Sequence, residues 1–376
     1  MEIRRSHGIE SQATPIQAFT LVELMVSMAV LSVVGVLILT MVSNVSSVTK
    51  RTRDQVESYQ GARAGFEALT RTIAQATLNT YWDYYDSTGK AANDTTYNGT
   101  PARYGRQSEL HFRSGPTDSL FRASNGGLTR PTHGIFFQIP GGITSNSTLK
   151  PLNNTLNGIG FFLEFGDDEA LRPSFLATET SIPKRYRYRL LQMQQATENL
   201  QIYSSSNGTA WFQDPLGFGS TTVNAAARPA NVLAENVIAL AIIPRLSPAE
   251  DDPNNNTSRG ASLVRDDYNY DSRTAKSYSA TSATGTTMSG TTLHQLPPLV
   301  EVIMVAIDET SAQRLAAESG TNPPDLGQKD LFKSISSIAD VDADLDKLEK
   351  NLVDKKLNYR IYRSVVGIRG AKWSAN

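Results

Sequence analysis

Apolar positions crowd one part of this chain and are sparse elsewhere. From Phe19 to Val42 they are nearly continuous, and no residue between Leu24 and Val42 is charged. That is about the length that crosses a bilayer core as a helix. Glu23 sits just inside the leading edge, and a polar stretch, Met1 to Ala18, with Arg4, Arg5 and His7, precedes it. A secretory signal peptide would place a shorter apolar run directly after its basic start, so the pattern predicts a different kind of segment. Taken alone, the run also fits a buried core helix of a soluble protein.

Helical spacing continues past the run. Val45, Val48, Val56, Tyr59, Ala62, Phe66, Leu69, Ile73 and Ala76 recur at intervals near three and four, while Lys50, Arg53, Glu57, Arg63 and Glu67 occupy other faces. One helix from Phe19 to about Leu78 is expected. Its first part, 19–42, would be a transmembrane or filament-core segment, and its amphipathic continuation, 43–80, would pack on a globular head formed by 81–376. Gly61 and Gly65 lower helix propensity without breaking the pattern, and Gly35 or the Ser43–Ser47 stretch could bend it.

Beyond Tyr81-Trp82-Asp83-Tyr84-Tyr85 the pattern changes to short apolar runs between polar, Gly-, Asn- and Ser-containing stretches. Strands are predicted at 109–113, 134–139, 158–165, 186–193, 200–203, 236–245, 299–307 and 357–368. In one of them Tyr186, Tyr188 and Leu190 alternate with Arg187 and Arg189, as a half-buried strand would. Such strands, with connections too short for helical crossovers, favour an antiparallel sheet or a two-sheet sandwich in an α+β protein. A short helix is expected at 344–353. The segments 86–107 and 247–295 read as long loops on the outward surface.

Composition adds mainly exclusions. The 376 residues are 39% apolar and carry a formal charge of −1, enough for a sizeable core and too balanced for a global nucleic-acid-binding field. The absence of cysteine removes disulfides, thiolate metal sites, cysteine nucleophiles and a lipidated cysteine anchor.

The residues at the start of the apolar run are the most specific signal. Ala18-Phe19-Thr20-Leu21-Val22-Glu23 resembles the type IV prepilin processing motif, with Ala18 in place of the usual glycine. The resemblance implies that prepilin peptidase cuts between Ala18 and Phe19, removing a cytoplasmic leader, 1–18. It further implies that Phe19 becomes an N-methylated terminus. Glu23 would then pair with the terminal amine of a neighbouring subunit during assembly; independently, a carboxylate at a membrane boundary is costly unless partnered. Lys50, Arg51 and Arg53 outnumber Arg4 and Arg5, so the basic flanks alone would turn the segment the other way. The resemblance instead implies a single-pass protein of the bacterial inner membrane with an exported head that later joins an envelope filament. Its partners would be prepilin peptidase, other pilin or pseudopilin subunits, the inner-membrane assembly platform and membrane lipid.

A looser resemblance covers more of the chain. Leu296-Pro297-Pro298-Leu299-Val300-Glu301-Val302 and the closing Tyr359-Arg360-Ile361-Tyr362-Arg363-Ser364-Val365-Val366 are similar to the large J-type and W-type minor pseudopilins. With Ala74-Gln75-Ala76-Thr77-Leu78-Asn79-Thr80-Tyr81-Trp82, the layout also resembles the prepilin-like C proteins of Verrucomicrobia gene cassettes (Verru_Chthon). This implies a minor subunit of a pilus or type II secretion pseudopilus.

Candidate chemistry is sparse. No P-loop, serine-hydrolase elbow, zinc-protease motif or dinucleotide fingerprint is present, so no cofactor is implied. The four histidines, His7, His111, His133 and His294, are widely separated and read as structural. Asp340, Asp342, Asp344 and Asp346 alternate like a calcium loop, but Leu345 and Asn351 stand where an EF-hand needs glycine and glutamate. They read better as acids at a helix N-terminus, and Asp251 and Asp252 as solvated loop charges. Two functions stay open: a filament subunit, or a non-polymerising envelope protein with one N-terminal anchor and a ligand- or surface-binding β-rich head.

Overall fold

An unbroken helix, α1 (Leu21–Ile73), opens the structure, a computed structural model. It describes residues 20–121, 129–169, 172–177, 181–203, 208–217, 228–246, 268–275, 277–281, 287–334 and 338–371. The helix starts and stops inside the expected 19–78, and neither Gly35 nor the Ser43–Ser47 stretch interrupts it. Past Ile73 the chain tightens, with Ala76 N–H donating to the Ile73 carbonyl at 3.0 Å, and Asn79 takes a left-handed φ of 46°. The chain divides into two units, Met1–Arg53 and Asp54–Asn376.

In the first unit the apolar side chains from Leu21 to Val42 are exposed, Leu21 at 76%. Within this unit no protein covers them. Val45 and Val48 are exposed within this unit as well. In the second unit the amphipathic stripe packs from Tyr59 onward: Ala62, Phe66, Leu69, Ile73 and Ala76 are buried, whereas Val56 stays exposed.

The elements that follow α1 in the second unit are β1 (Tyr81–Tyr85), β2 (Arg103–Gln107), β3 (Arg113–Pro116), α2 (Thr117–Leu120), β4 (His133–Pro140), β5 (Leu156–Gly166) and α3 (Ser174–Ala177). Next come β6 (Arg187–Gln195), α4 (Ala210–Gln213), β7 (Ala230–Glu235), β8 (Val237–Arg245), β9 (Tyr270–Asp271), β10 (Ser277–Thr281) and β11 (Thr287–Thr291). The unit closes with β12 (Leu299–Ile307), α5 (Glu309–Ser319), α6 (Ile338–Asp354) and β13 (Tyr359–Gly367). A six-stranded sheet runs β7-β6-β5-β4-β3-β9, a three-stranded sheet β13-β12-β8, and β1-β2 and β10-β11 form separate ribbons. Every pairing is antiparallel. The class is α+β, a long N-terminal helix with antiparallel sheets in a pilin-like architecture.

The core lies between the two sheets. β8 packs on β4, β5 and β6, and its residues from Val237 to Pro244 are all buried, as their near-continuous apolar sequence requires. Phe136 and Phe212 stack at 4.1 Å between centroids at the centre of an aromatic cluster with Phe121, Phe162 and Trp211. The packed part of α1 rests on β7 and β13: Gly65 abuts Leu233 and Ala234, Phe66 meets Tyr362 at 5.7 Å, and Tyr362 Oη donates to the Tyr59 carbonyl at 2.9 Å.

Several expectations change. Residues 109–112 are not a strand, because side chains replace ladder partners: Gln138 Oε1 accepts the His111 amide at 2.8 Å and Ser272 Oγ the Phe112 amide at 2.9 Å. Residues 200–203 form no strand either; the Leu200 amide closes a turn onto the Thr197 carbonyl. The expected loop 86–107 contains β2, and 247–295 contains β9, β10 and β11, while Asp251 and Asp252 lie outside the described residues. The 344–353 helix is the C-terminal part of the 17-residue α6. Arg187 and Arg189 do not face solvent: they are 5% and 3% exposed. Glu309 grips Arg187 from both carboxylate oxygens, while Arg189 donates to the Gly166 and Asp167 carbonyls at 2.9 Å each.

Candidate functional site

The candidate site is the start of α1. Thr20 precedes the first helical residue, and its Oγ1 accepts the Glu23 amide at 3.3 Å, while its carbonyl accepts the Leu24 amide at 3.2 Å. Thr20 is therefore the N-cap, and the Thr-x-x-Glu spacing is that of a capping box. The cap satisfies one of the backbone donors that a helix leaves unpaired at its start, and it holds Glu23 in the first turn, where the helix dipole favours an anion. The motif reading had treated Thr20 only as part of the cleavage signature; its distance of three from Glu23 was the available sign of a cap.

Further along, Ser27, Ser32 and Thr40 donate their hydroxyls to the carbonyls of Glu23, Met28 and Val36 at 2.6, 2.8 and 2.8 Å. Each polar side chain is thus satisfied within the helix, which is what a surround without water demands. The helix is long and apolar enough to cross a membrane. Ala18 and Phe19, the expected cleavage and methylation positions, lie outside the described residues, as do Arg4, Arg5 and His7. Of the expected site residues, the structure places Glu23 alone.

The head's titratable groups are built into its packing. His111 Nδ1 accepts the Trp211 indole N–H at 3.2 Å and Nε2 meets Asp271 Oδ1 at 2.9 Å, so both ring nitrogens are engaged. Burial lowers the His111 pKa against the pull of Asp271; the same contact holds the Asp271 carboxyl well below its usual range although burial opposes it. His133 is fully buried. Its Nε2–H donates to the Phe332 carbonyl at 2.7 Å and its Nδ1 accepts the Ile242 amide at 3.0 Å, which fixes the neutral tautomer. Burial pushes it down to about 4. His294 is also pushed down to about 4, first by burial and then by Arg273.

Among the described residues no group of three or more His, Asp or Glu side chains is placed to hold a metal. Two of the four aspartates are engaged otherwise: Asp342 pairs with Arg363 at 2.8 Å, and Asp344 accepts the Phe332 amide at 2.9 Å and pairs with Lys347 at 3.0 Å.

Residues 15–39 match the family model described as the prokaryotic N-terminal methylation motif. No curated protein and no solved structure matches the chain. The matched stretch contains Thr20, Glu23 and the exposed apolar helix, and ends before the head. The N-terminal segment is thus type IV prepilin-like. Match and helix together suggest a membrane-anchored envelope protein, structural in role, that is a substrate of prepilin peptidase and associates with pilin subunits.

Proposed function

We propose that this chain is a minor subunit of a type IV pilus, type II secretion pseudopilus or related envelope filament. The observation that carries the proposal is a methylation-motif match lying on a Thr20-capped, exposed apolar helix with Glu23 in its first turn. In this reading prepilin peptidase cuts between Ala18 and Phe19, and Phe19 is N-methylated. Glu23 then neutralises the terminal amine of an adjacent subunit, which relieves the cost of both charges in an apolar assembly core. Before assembly the helix crosses the inner membrane once, with the leader cytoplasmic and the head exported. The minor rather than bulk role is supported by the resemblance of Leu296–Val302 and Tyr359–Val366 to large minor pseudopilins.

Intact-mass and N-terminal analysis of the membrane-extracted protein tests the reading. The expected chain begins with N-methylated Phe19. A chain still beginning at Met1 in cells with active prepilin peptidase would overturn it and leave the anchored, non-polymerising protein.

A further inference from the structure

The β1–β2 ribbon is separate from both larger sheets, and a two-stranded ribbon of five residues a side has little stability of its own. The chain has no cysteine with which to staple it. Its register sets Tyr84 directly opposite Tyr104, which puts both side chains on one face. The rings meet at 4.5 Å between centroids, the close end of aromatic contact, and the Tyr104 hydroxyl donates to the Tyr84 hydroxyl at 2.8 Å. Both side chains stay open to solvent, Tyr84 at 43% exposure and Tyr104 at 62%.

Cross-strand packing requires the rings to meet but not the hydroxyls. The neighbouring tyrosines show the difference: Tyr81 gives its hydroxyl to the Glu109 carboxylate at 2.5 Å, and Tyr85, on the opposite face, gives its own to the Arg106 carbonyl at 2.7 Å. In Tyr84 and Tyr104 the ring carbons ortho to the hydroxyls lie between the 2.8 Å and 4.5 Å spans, at about the 3.5–4 Å of ordinary carbon contact. That is the approach from which two phenols couple oxidatively. Each phenol gives up one electron and its hydroxyl proton, leaving a phenoxyl radical whose spin is shared with the ortho carbons. Two such radicals already in contact join ortho carbon to ortho carbon without a diffusional encounter. The protons displaced from those carbons leave to water while the oxygens take protons up, so both hydroxyls are restored. The two electrons and two protons first removed reduce one hydrogen peroxide to two waters, and the protein loses two hydrogens in all. We propose that Tyr84 and Tyr104 are a modification site, coupled to a dityrosine by a one-electron oxidant of the haem-peroxidase class with hydrogen peroxide as its electron acceptor. The new bond ties β1 to β2 and closes the chain between them, which restricts opening of the ribbon as a disulfide would.

The test treats the full chain, dilute in detergent, with a haem peroxidase and limiting hydrogen peroxide. Dityrosine is read by its blue fluorescence, which tyrosine lacks, and located by digestion and mass spectrometry. The expected product is a monomer whose peptides bearing Tyr84 and Tyr104 are joined with the loss of two hydrogens. Tyr84→Phe and Tyr104→Phe should each lower the dityrosine yield about tenfold or more, because the remaining radical has no partner in contact. Tyr203→Phe, which removes a ring of 66% exposure elsewhere in the head, should leave the yield unchanged. Circular dichroism serves as the folding control. Absence of the joined peptides, an undiminished yield in folded Tyr104→Phe, or dityrosine found only between molecules would overturn the proposal and leave the two rings as a packing pair. The filament reading is untouched by any of these results, since none concerns cleavage or assembly.

Discussion

A β-carbon placed on Gly65 would lie 2.9 Å from the β-carbon of Ala234, so α1 crosses β7 at a separation that only glycine tolerates without movement. Gly61, one turn earlier, has nothing within 4 Å of the same construction. The two glycines cost the helix similar propensity but differ in purpose. Gly65→Ala is expected to lower stability by about 1 kcal/mol or more through overpacking. Gly61→Ala should raise it by up to about 1 kcal/mol. Urea unfolding of the detergent-solubilised protein compares them directly, and equal midpoints would refute the distinction.

His133 makes the head sensitive to mild acid. Its folded pKa of about 4 lies below the ordinary 6.5, so the unfolded chain binds more protons between these values and stability falls as pH drops through that window. The full shift corresponds to a loss on the order of 3 kcal/mol, complete once pH is below the folded value. His294, also near 4, acts in the same window. Denaturant midpoints measured from pH 7 to pH 4 should decline. His133→Gln should start less stable at pH 7 and show a shallower decline; an undiminished slope would place the effect elsewhere.

Glu164 joins buried Arg130 to half-buried Arg228. Arg130 Nε lies 2.9 Å and Arg228 Nη1 2.8 Å from its Oε2, and Arg228 Nη2 contacts Oε1. Burial opposes its ionisation, but Arg228 and then Arg130 hold the carboxyl below its ordinary range. Glu164→Gln leaves two guanidinium groups without a buried counter-charge and should cost about 3–5 kcal/mol. A loss under 1 kcal/mol in urea unfolding would show that water reaches the cluster.

At the start of α1, assembly and folding should separate. Glu23→Ala is expected to yield an inserted, stable protein that does not enter filaments, read by shearing filaments from cells and immunoblotting both fractions. Normal incorporation would remove the pairing role of Glu23. Thr20→Val, which keeps shape but loses the Oγ1 acceptor, should fray the first turn at a cost of about 1 kcal/mol.

The readable parts of this fold were those whose burial is written as continuous apolar sequence. β4, β5, β8 and β12 lie between two layers and consist largely of Ile, Val, Leu, Phe and Ala, so periodicity found them within a few residues. The β1–β2 ribbon escaped because Arg103–Gln107 has little to bury, β11 because Thr287–Thr291 holds one large apolar residue, Met288, and α5 because Ala312 and Leu315 are its only buried apolar residues. Arg187 and Arg189 misled for another reason: a pattern of alternating charge cannot say whether Glu309 or a carbonyl waits opposite. At the candidate site the apolar run, Glu23 and the cleavage signature were legible because they are local. The Thr20 cap was equally local, yet it was masked by its membership in a longer motif.

The segment just past α1 is fastened twice. Thr77 N–H reaches the Gln138 carbonyl on β4 at 2.9 Å, and Arg369 N–H reaches the Ala74 carbonyl at 3.1 Å, with Gly370 pressed so close that a β-carbon there would sit 2.8 Å from the Ala76 carbonyl. The segment that leaves the helix is thus tied both to a strand of the six-stranded sheet and to the stretch that follows the final strand.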